Sequence, residues 1–298
     1  MTRILTIGIA VLDEIFPIST RLVPGEKHRA PRVCTVIGGT AANAALTIAR
    51  LGGAVSLITR LGDDPTGTII RNHLMVEGVD LSLTGTNPGR ISSRSAIIIE
   101  PNGDRTIASA ADPDMPTHPA WLLETLPPAV KAVLGDIRWE DGTYRLFTLA
   151  RNAGLPAILD GDRAPFNRAI IDLSTHAVFS AQGLAELTGI ADPASALAAF
   201  APSRGGFYAV TDGAKGVFAW QDGALRHYPS FRITPVDTLG AGDVWHGAFA
   251  LAIGEGQAIP EAIRFASAAA AIKCTRPGGG AGAPNRAELN AFLTEHAS

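Results

Sequence analysis

A glycine-rich turn followed by an apolar helix occupies residues 237–250, which read DTLGAGDVWHGAFA. Small residues let the backbone approach a ligand, and the free N–H groups and dipole at a helix start favour an anion. Asp243 adds a carboxylate at this helix start. Such a carboxylate could accept the proton of a hydroxyl group that attacks a phosphoryl group. The alternative is that Asp243 is only the N-cap of the helix, a position that Asp favours.

Two earlier segments carry polar groups suited to a ligand with hydroxyl groups. Asp13 follows the apolar run 3–10, which is typical of a buried parallel strand, and ligands bind at the carboxyl ends of such strands. Gly38 and Gly39 open an Ala-rich helix that contains Asn43, whose amide can both donate to a hydroxyl and accept from it. The alternatives are a turn-forming Asp and a tight contact between helix and sheet.

The segments DTLGAGD (237–243) and GGTAAN (38–43) resemble the two signatures of the ribokinase-like (PfkB) carbohydrate kinases, in the same order along the chain. The resemblance implies an α/β fold with a central, mostly parallel sheet flanked by helices and a small β-sheet lid. It implies a single domain over residues 1–298, with the lid formed by about 13–37 and 91–110. It also implies phosphorylation of a sugar hydroxyl by ATP with Mg²⁺, and a loop near 276–282 that can hold K⁺.

The resemblance assigns roles to individual residues. Asp243 is then the catalytic base and Asp237 the residue for the metal ion. The transferred phosphoryl group is stabilised by the backbone N–H groups of the turn, which are those of Gly240, Ala241 and Gly242. The residues assigned to the sugar are Asp13, Gly38, Gly39 and Asn43. Those assigned to the nucleotide are Thr211, Gly213, Gly216, Ala271 and Gly279. The first three lie in TDGAKG (211–216), which on its own would favour a hairpin turn.

Four further segments resemble the sulfofructose kinase branch of that family, namely GDIRWEDG, FTLARNAG, LDGD and KCTRPGG. This resemblance implies a substrate with an anionic group at C6 of the sugar. Lys27 and Arg138 are assigned to that anion, since an arginine fork suits a tetrahedral oxyanion and lysine acts as a point charge. Ser109 is assigned beside them, where an Asn is expected. Arg138 could instead form a salt bridge with Asp136 or Asp160.

Other functions stay open at this point. The substrate could be fructose 6-phosphate, 2-keto-3-deoxygluconate or a neutral sugar, and a sugar-binding protein without catalysis is the alternative outside the enzymes. The Asn-x-x-Glu pattern of the family, which lies near the Mg²⁺ water shell, is replaced by SAQG at 180–183, so Glu186, another acid or the nucleotide must hold the metal. A dinucleotide-binding oxidoreductase is excluded, because no G-x-G-x-x-G follows the first strand.

Alternating strands and helices must position these residues. From residue 129 onward the alternation predicts a parallel sheet with right-handed crossovers. Residues 92–100 alternate between apolar and polar, and Asn102-Gly103 is a strong hairpin turn into a further strand. With a strand-like segment over 24–36, these strands form the predicted lid. A small sheet leaves one face to be covered, which predicts a homodimer through the lid.

Composition narrows the partners and the compartment. The chain has 298 residues, of which 46% are hydrophobic and 18% charged, with a net charge of -3. Because it contains no run of Lys or Arg, nucleic acid and anionic membranes are poor partners. Cys34 and Cys274 lack a metal-binding spacing, which favours reduced thiols in a cytoplasmic protein. The apolar run near the N-terminus is short and lacks a cleavage site, so no signal peptide is expected.

Overall fold

The structure is a computed structural model, and it describes residues 1–296. Within these residues the strands are β1 (Arg3–Ile7), β2 (Val11–Pro17), β3 (Cys34–Gly38), β4 (Ala54–Ile58), β5 (Arg60–Gly62), β6 (Gly85–Asn87), β7 (Arg94–Ile99), β8 (Arg105–Ala110), β9 (Val130–Asp136), β10 (Ala157–Gly161), β11 (His176–Ser180), β12 (Phe207–Thr211), β13 (Val217–Gln221) and β14 (Ala224–Tyr228). The α-helices are α1 (Thr40–Arg50), α2 (Pro65–Val76), α3 (Glu140–Asn152), α4 (Ala169–Leu173), α5 (Ala181–Thr188), α6 (Pro193–Phe200), α7 (Ala241–Gly254), α8 (Ile259–Cys274) and α9 (Arg286–Glu295). None of the helices between residues 1 and 296 combines the length and the hydropathy that crossing a bilayer requires.

An eight-stranded sheet forms the centre of the fold, with the strand order β14-β13-β12-β11-β10-β9-β1-β4. The strands from β12 to β4 pair in parallel, whereas β13 and β14 pair antiparallel at one edge. In β1, the neighbouring residues Ile4 and Leu5 are both fully buried, and they belong to different core clusters. Because successive side chains point to opposite faces, both faces of this sheet must be covered by helices. The predicted α/β class with a mostly parallel sheet is confirmed.

Small residues let α1 and α7 approach each other closely. A Cβ atom at Gly247 of α7 would lie 2.6 Å from the carbonyl oxygen of Ala44 in α1, which leaves no space for a side chain. The close approach brings Asn43 of α1 within hydrogen-bonding distance of Asp243 of α7, although 200 positions separate them in the sequence. Helix packing therefore creates the contact on which the site depends.

A separate four-stranded sheet, with the order β3-β2-β7-β8, forms the lid. β7 and β8 make the hairpin that Asn102-Gly103 predicts, and Gly103 has a φ of 87° there. Its N–H group donates to the carbonyl oxygen of Glu100 at 2.9 Å. β8 is an edge strand, and five of its six residues are exposed. The lid therefore has an uncovered surface, as its sequence led us to expect.

The strand predicted over 24–36 is wrong for most of its length. β3 begins only at Cys34, and the structure shows no strand between residues 18 and 33. Pro24 and Gly25 are turn formers, and Gly25 has a φ of 85°, so the chain cannot continue as a regular strand there. As a consequence, Lys27 lies in an exposed loop rather than on the lid sheet.

Candidate active site

A cavity of about 310 Å³ lies between the lid and the residues that follow the central strands. It is lined from the lid by residues of β2, β3, β7 and β8, and from below by the starts of α1 and α7. The predicted site residues that line it are Asp13, Gly39, Asn43, Ser109, Arg138, Gly240, Asp243 and Gly279. The predicted site residues outside its lining are Lys27, Gly38, Thr211, Gly213, Gly216, Asp237, Ala241, Gly242 and Ala271. The structure thus brings eight of the seventeen predicted residues around one space.

Asp243 lies in the first turn of α7, partly exposed to the cavity. Its Oδ2 accepts a hydrogen bond from Nδ2 of Asn43 at 2.7 Å. Burial raises the pKa of Asp243 to about 6, and the charges of Asp162 and Asp136 act in the same direction, whereas the bond from Asn43 lowers it. A carboxyl group with this pKa is mostly ionised at neutral pH, and it is still basic enough to accept a proton from a hydroxyl group that attacks a phosphoryl group.

The turn before α7 provides backbone donors for an anion. Gly240 has φ 74° and ψ 8°, a left-handed conformation that glycine adopts without strain. A Cβ atom there would lie 3.2 Å from the backbone nitrogen of Gly280, so a side chain would crowd the neighbouring loop. The N–H of Ala241 donates to the carbonyl oxygen of Thr238 at 3.3 Å. The N–H of Gly242 has no helical partner at the second helix position, and Gly242 is exposed, so it is freer than Ala241 to bind an anion.

The lid and the start of α1 form the polar wall that would face a sugar. Asp13 of β2 is 9% exposed, and burial raises the pKa of its carboxyl group although Ser95 opposes the rise. A Cβ atom at Gly38 would overlap the carboxylate of Asp13, so the missing side chain makes room for that carboxylate. Gly39 has a φ of 92°, and a Cβ atom there would lie 2.5 Å from the carbonyl oxygen of Ile9. Packing therefore requires glycine at both positions. The contacts of these two glycines with a sugar remain a prediction.

Two arginines line the cavity, and each is paired with an acid. Arg138 forms an ion pair with Asp162, rather than with either of the acids considered in the sequence analysis. Arg94 of the lid forms an ion pair with Glu14 at 2.6 Å. The hydroxyl oxygen of Ser109 lies 3.1 Å from the hydroxyl oxygen of Ser95 in the neighbouring lid strand. The cations available to an anionic ligand are therefore Arg94 and Arg138, because Lys27 is on the exposed loop.

Asp136 joins the residues that directly follow β1 to the start of α1, and this role was not predicted from the sequence. It is buried, and its Oδ2 accepts from the N–H of Ile9 at 2.8 Å, from the hydroxyl of Thr40 and from the N–H of Ala41 at 3.3 Å. Its Oδ1 accepts from the N–H of Arg138 at 2.9 Å. Burial raises the pKa of Asp136 even though these bonds oppose the rise. In the sequence, the feature that could have identified Asp136 is its position at the carboxyl end of a predicted strand.

A second buried acid, Asp160, contacts His246 of α7. Nδ1 of His246 lies 3.3 Å from Oδ2 of Asp160 and 2.8 Å from the carbonyl oxygen of Gly242. Burial raises the pKa of Asp160 well above its ordinary value, and burial lowers the pKa of His246. Burial thus disfavours the charged form of each group, and the contact joins the first turns of α7 to β10.

Asp237 is surrounded by hydrogen-bond donors and cations. Its Oδ1 accepts from the N–H of Leu239 at 2.8 Å and lies 3.4 Å from the guanidinium of Arg105. Its Oδ2 accepts from the N–H of Gly278 at 3.0 Å and lies 3.3 Å from Nζ of Lys273. Burial alone would raise its pKa, but these N–H groups and the charge of Lys273 lower it overall. Two cations thus lie beside this carboxylate, and its backbone partners tie it to the turn before α7. The assignment of Asp237 to the metal ion stays a prediction.

Other acidic side chains near the cavity are candidates to hold Mg²⁺. Among the residues that the structure describes, no group of three His, Cys, Asp or Glu side chains is placed to hold a metal ion. Mg²⁺ commonly needs only one or two carboxylates, since substrate phosphates and water complete its shell. Asp162 fits this requirement, because its Oδ1 is enclosed without a hydrogen-bond partner. Glu186, in contrast, already accepts from the N–H of Ala164 at 3.3 Å.

The missing Glu of the Asn-x-x-Glu pattern has a steric explanation. Gly183 occupies its position, and a Cβ atom there would lie 2.2 Å from the carbonyl oxygen of Gly161. The first turn of α5 therefore packs directly on the end of β10, where no acidic side chain could fit. This packing leaves Asp162, on the segment that follows β10, as the nearer candidate for a metal-bound water shell.

The residues assigned to the nucleotide are divided between two regions. Thr211 ends β12, and Gly213 and Gly216 belong to the connection that turns back into the antiparallel β13, so this segment is also the hairpin turn considered as its alternative. A Cβ atom at Gly216 would lie 2.1 Å from a carbonyl oxygen of β14, which explains that glycine by packing. Ala271 is 8% exposed within α8, and Gly279 lines the cavity.

Fold and site together define a class of protein. A partly buried carboxylate beside a glycine-rich helix start, covered by a small β-sheet, is suited to phosphoryl transfer onto a small molecule with hydroxyl groups. Residues 1–286 match the family described as pfkB family carbohydrate kinase. The chain therefore belongs to the pfkB family, and it is an ATP-dependent carbohydrate kinase.

The chain aligns with individual relatives over nearly its whole length. The chain is 30% identical over 302 residues to the ribokinase of Bacillus subtilis, covering 99% of this chain and 100% of that protein. It is 27% identical to the 2-dehydro-3-deoxygluconokinase of Bacillus subtilis, with 91% and 90% covered. A solved structure from Agrobacterium tumefaciens, described provisionally as a ribokinase, is 36% identical with a TM-score of 0.92, covering 100% of this chain and 99% of that one. These relatives are named for different sugars, so membership of the family does not choose the substrate.

Proposed function

We propose that this kinase transfers the γ-phosphoryl group of ATP to O1 of a ketose with an anionic group at C6, with 6-deoxy-6-sulfofructose as the first candidate. The observation that carries this substrate class is that Arg94 and Arg138 line the same cavity as Asp13 and Asp243. A neutral sugar can use the carboxylates as acceptors, but it offers no anion to two guanidinium groups. Arg94 replaces Lys27 as the second cation proposed to bind the anionic group at C6.

Asp243 is the proposed base of this transfer. Asn43 holds Oδ2 of Asp243, so that Oδ1 is the oxygen left to accept the proton of the sugar hydroxyl as it attacks. The donors of the turn, Gly242 foremost, stabilise the charge on the transferred phosphoryl group. Asp13 and Gly39 position the sugar from the lid and from the start of α1. Positioning supplies most of the rate, and a closed lid excludes the water that competes as acceptor.

The nucleotide is proposed to lie against the edge formed by the hairpin after β12 and the loop after α8. Thr211, Gly213, Gly216, Ala271 and Gly279 remain the proposed contacts. Mg²⁺ bound with ATP would neutralise the charge of the β- and γ-phosphates. Asp162 is the residue of this chain that would hold its water shell, because one of its oxygens has no partner in the protein.

A homodimer through the lid is part of the proposal. β8 exposes five of its six residues, and Ile107 within it is 52% exposed although it is apolar. A second lid placed on this strand would cover both its apolar side chain and its unpaired backbone edge. Light scattering after size exclusion should give twice the mass of 31.0 kDa at micromolar concentration, and a monomer there would contradict this arrangement.

A neutral or differently charged sugar is the second candidate. Both cavity arginines are already compensated, Arg138 by Asp162 and Arg94 by Glu14. If those ion pairs persist in the complex, the cavity offers hydroxyl groups and carboxylates only. The substrate would then be a neutral sugar. Fructose 6-phosphate belongs with the anionic ketoses of the first candidate, and 2-keto-3-deoxygluconate carries a carboxylate instead of a C6 anion.

The test is a panel in which ADP release is measured with ATP and Mg²⁺ for sulfofructose, fructose 6-phosphate, fructose and 2-keto-3-deoxygluconate. Arg138→Met is compared with Arg163→Met, which removes a neighbouring arginine that lies outside the cavity lining. Loss of a charged contact of about 2–5 kcal/mol predicts a KM for the anionic ketose about 30-fold higher or more for Arg138→Met. Arg163→Met should behave like the wild type. Turnover of neutral sugars alone would favour the second candidate.

A further inference from the structure

Lys273, in the last turn of α8, is completely enclosed by protein. Lysine is almost never fully buried unless its ammonium group is paired. Here Nζ donates to the carbonyl oxygen of Asp237 at 2.7 Å and lies 3.3 Å from Oδ2 of the same residue. Burial lowers the pKa of Lys273, and the charge of Asp237 opposes the decrease. The ammonium of Lys273 thus lies where the carbonyl oxygen and Oδ2 of Asp237 converge, and Arg105 lies at the other carboxylate oxygen, Oδ1.

Asp237 connects the turn before α7 to the loop after α8. Its Oδ1 accepts from the N–H of Leu239 at 2.8 Å, and its Oδ2 accepts from the N–H of Gly278 at 3.0 Å. Between these two anchored segments, Gly240 approaches Gly280 so closely that a Cβ atom at Gly240 would lie 3.2 Å from the Gly280 nitrogen. A shift of Asp237 would therefore move both sides of the turn that carries the proposed donors for the phosphoryl group.

A carboxylate in this enclosed position needs a cation beside it, since an uncompensated charge in a low-dielectric site is costly. Either a side-chain ammonium or a monovalent ion such as K⁺ could meet that need, and the ammonium is tethered so that it cannot dissociate. We propose that Lys273 is a positioning residue whose ammonium serves as a built-in monovalent cation at Asp237, so that the kinase does not require K⁺. The inference rests on the proposed function only through the role of the turn in phosphoryl transfer.

The experiment compares the wild type with Lys273→Ala, and with Arg276→Ala as a control. Arg276 is a nearby cation, in the loop after α8, but it pairs with Glu288 instead of Asp237. Each protein is assayed at constant ionic strength in choline, Na⁺, K⁺ and NH₄⁺ salts. The kcat and KM are measured with a sugar from the panel that is turned over, and the melting temperature is measured without any sugar.

We expect the wild-type and Arg276→Ala kcat values to be independent of the monovalent cation. In choline, Lys273→Ala should lose about 100-fold in kcat with little change in the KM of the sugar, because a misplaced turn affects the reacting group. K⁺ or NH₄⁺ should recover about tenfold or more of that loss and raise the melting temperature of Lys273→Ala only, because each binds the folded variant. A merely structural lysine would lower the melting temperature without any response to K⁺.

Three results would overturn the inference. These are severalfold activation of the wild type by K⁺, a folded Lys273→Ala variant with wild-type kcat, and a defect that no monovalent cation relieves. If Lys273→Ala does not fold, Lys273→Met keeps the apolar stem and must lose kcat without a matching rise in KM. The cation dependence of the melting temperature requires no substrate, so a wrong choice of sugar would leave this test intact.

Discussion

Replacing Asn43 with Ala should move the pH dependence of the kinase to higher pH. The side chain of Asn43 donates to Oδ2 of Asp243 at 2.7 Å and so stabilises the ionised form of a carboxylate whose pKa is about 6. A hydrogen bond to a charged group contributes about 1.5–3 kcal/mol, and about 1.36 kcal/mol corresponds to one pKa unit. Removing the bond should therefore raise the pKa of Asp243 by about 1–2 units, to about 7–8.

The direction of the change follows from the protonation state that catalysis needs. Only the ionised carboxylate can accept a proton, so activity is lost as the pH falls below the pKa of Asp243. At pH 7 about 90% of wild-type Asp243 is ionised, whereas about 10–50% would be ionised in Asn43→Ala. The acid limb of kcat/KM should shift upward by about 1–2 pH units. The activity of Asn43→Ala should therefore be much lower than that of the wild type at pH 6 and closer to it at pH 9.

The assay is coupled ADP release between pH 5 and 9, with kcat/KM determined for each protein. Thr47→Val is the matched control, because Thr47 is buried one turn further along α1 and its hydroxyl bonds only to the backbone oxygen of Asn43. This variant perturbs α1 but leaves the contact with Asp243 in place, so its acid limb should stay near pH 6. An acid limb that is unmoved in Asn43→Ala, or that moves to lower pH, would refute the assignment of Asp243 as the titrating base.

Two further predictions concern the surroundings of the site. Gly39→Ala should lower the free energy of unfolding by about 1–3 kcal/mol more than Gly52→Ala. Both glycines have positive φ, but a Cβ atom at Gly39 would lie 2.5 Å from the carbonyl oxygen of Ile9, whereas a Cβ atom at Gly52 would meet open space. Equal denaturation midpoints of the two variants would contradict this prediction. Arg105→Ala should raise the KM of the sugar by about two- to fivefold with kcat nearly kept. Arg105 links the lid to Thr238 at 2.9 Å and lies 3.4 Å from Asp237, but Lys273 remains beside Asp237 in this variant. Charge contacts near the surface contribute about 1 kcal/mol or less. A kcat loss larger than the KM change would show that this contact does more than close the lid.

Repeating patterns predicted the elements well, because such patterns are local. The alternation from residue 129 onward predicted the parallel pairing of β9 to β12, and Asn102-Gly103 predicted the hairpin of β7 and β8. The predicted α/β class was confirmed for the same reason. The sequence signatures also placed Asn43 and Asp243 in one site, although the contact between them depends on the packing of α1 on α7.

Long-range pairing was not visible in the sequence. Lys27 has the right charge for an anion, but the turn formers beside it put it in an exposed loop. Lys273, in contrast, stands at the end of a helix, where a lysine usually reaches water. Its burial depends on an acid 36 residues earlier. Asp237 was assigned to a metal because it belongs to the signature, and only the structure shows the two cations beside it.

Asp243 is proposed to be the base of an ATP-dependent kinase that acts on an anionic ketose, and this is the central claim to test. The direct measurement is ADP release with sulfofructose, ATP and Mg²⁺ for the wild type and for Asp243→Ala, with circular dichroism to confirm that both are folded. We predict turnover by the wild type and a loss of about 10²–10⁴-fold in kcat for the variant, as expected for removal of a general base. A folded Asp243→Ala enzyme that keeps kcat within about tenfold of the wild type would contradict the account.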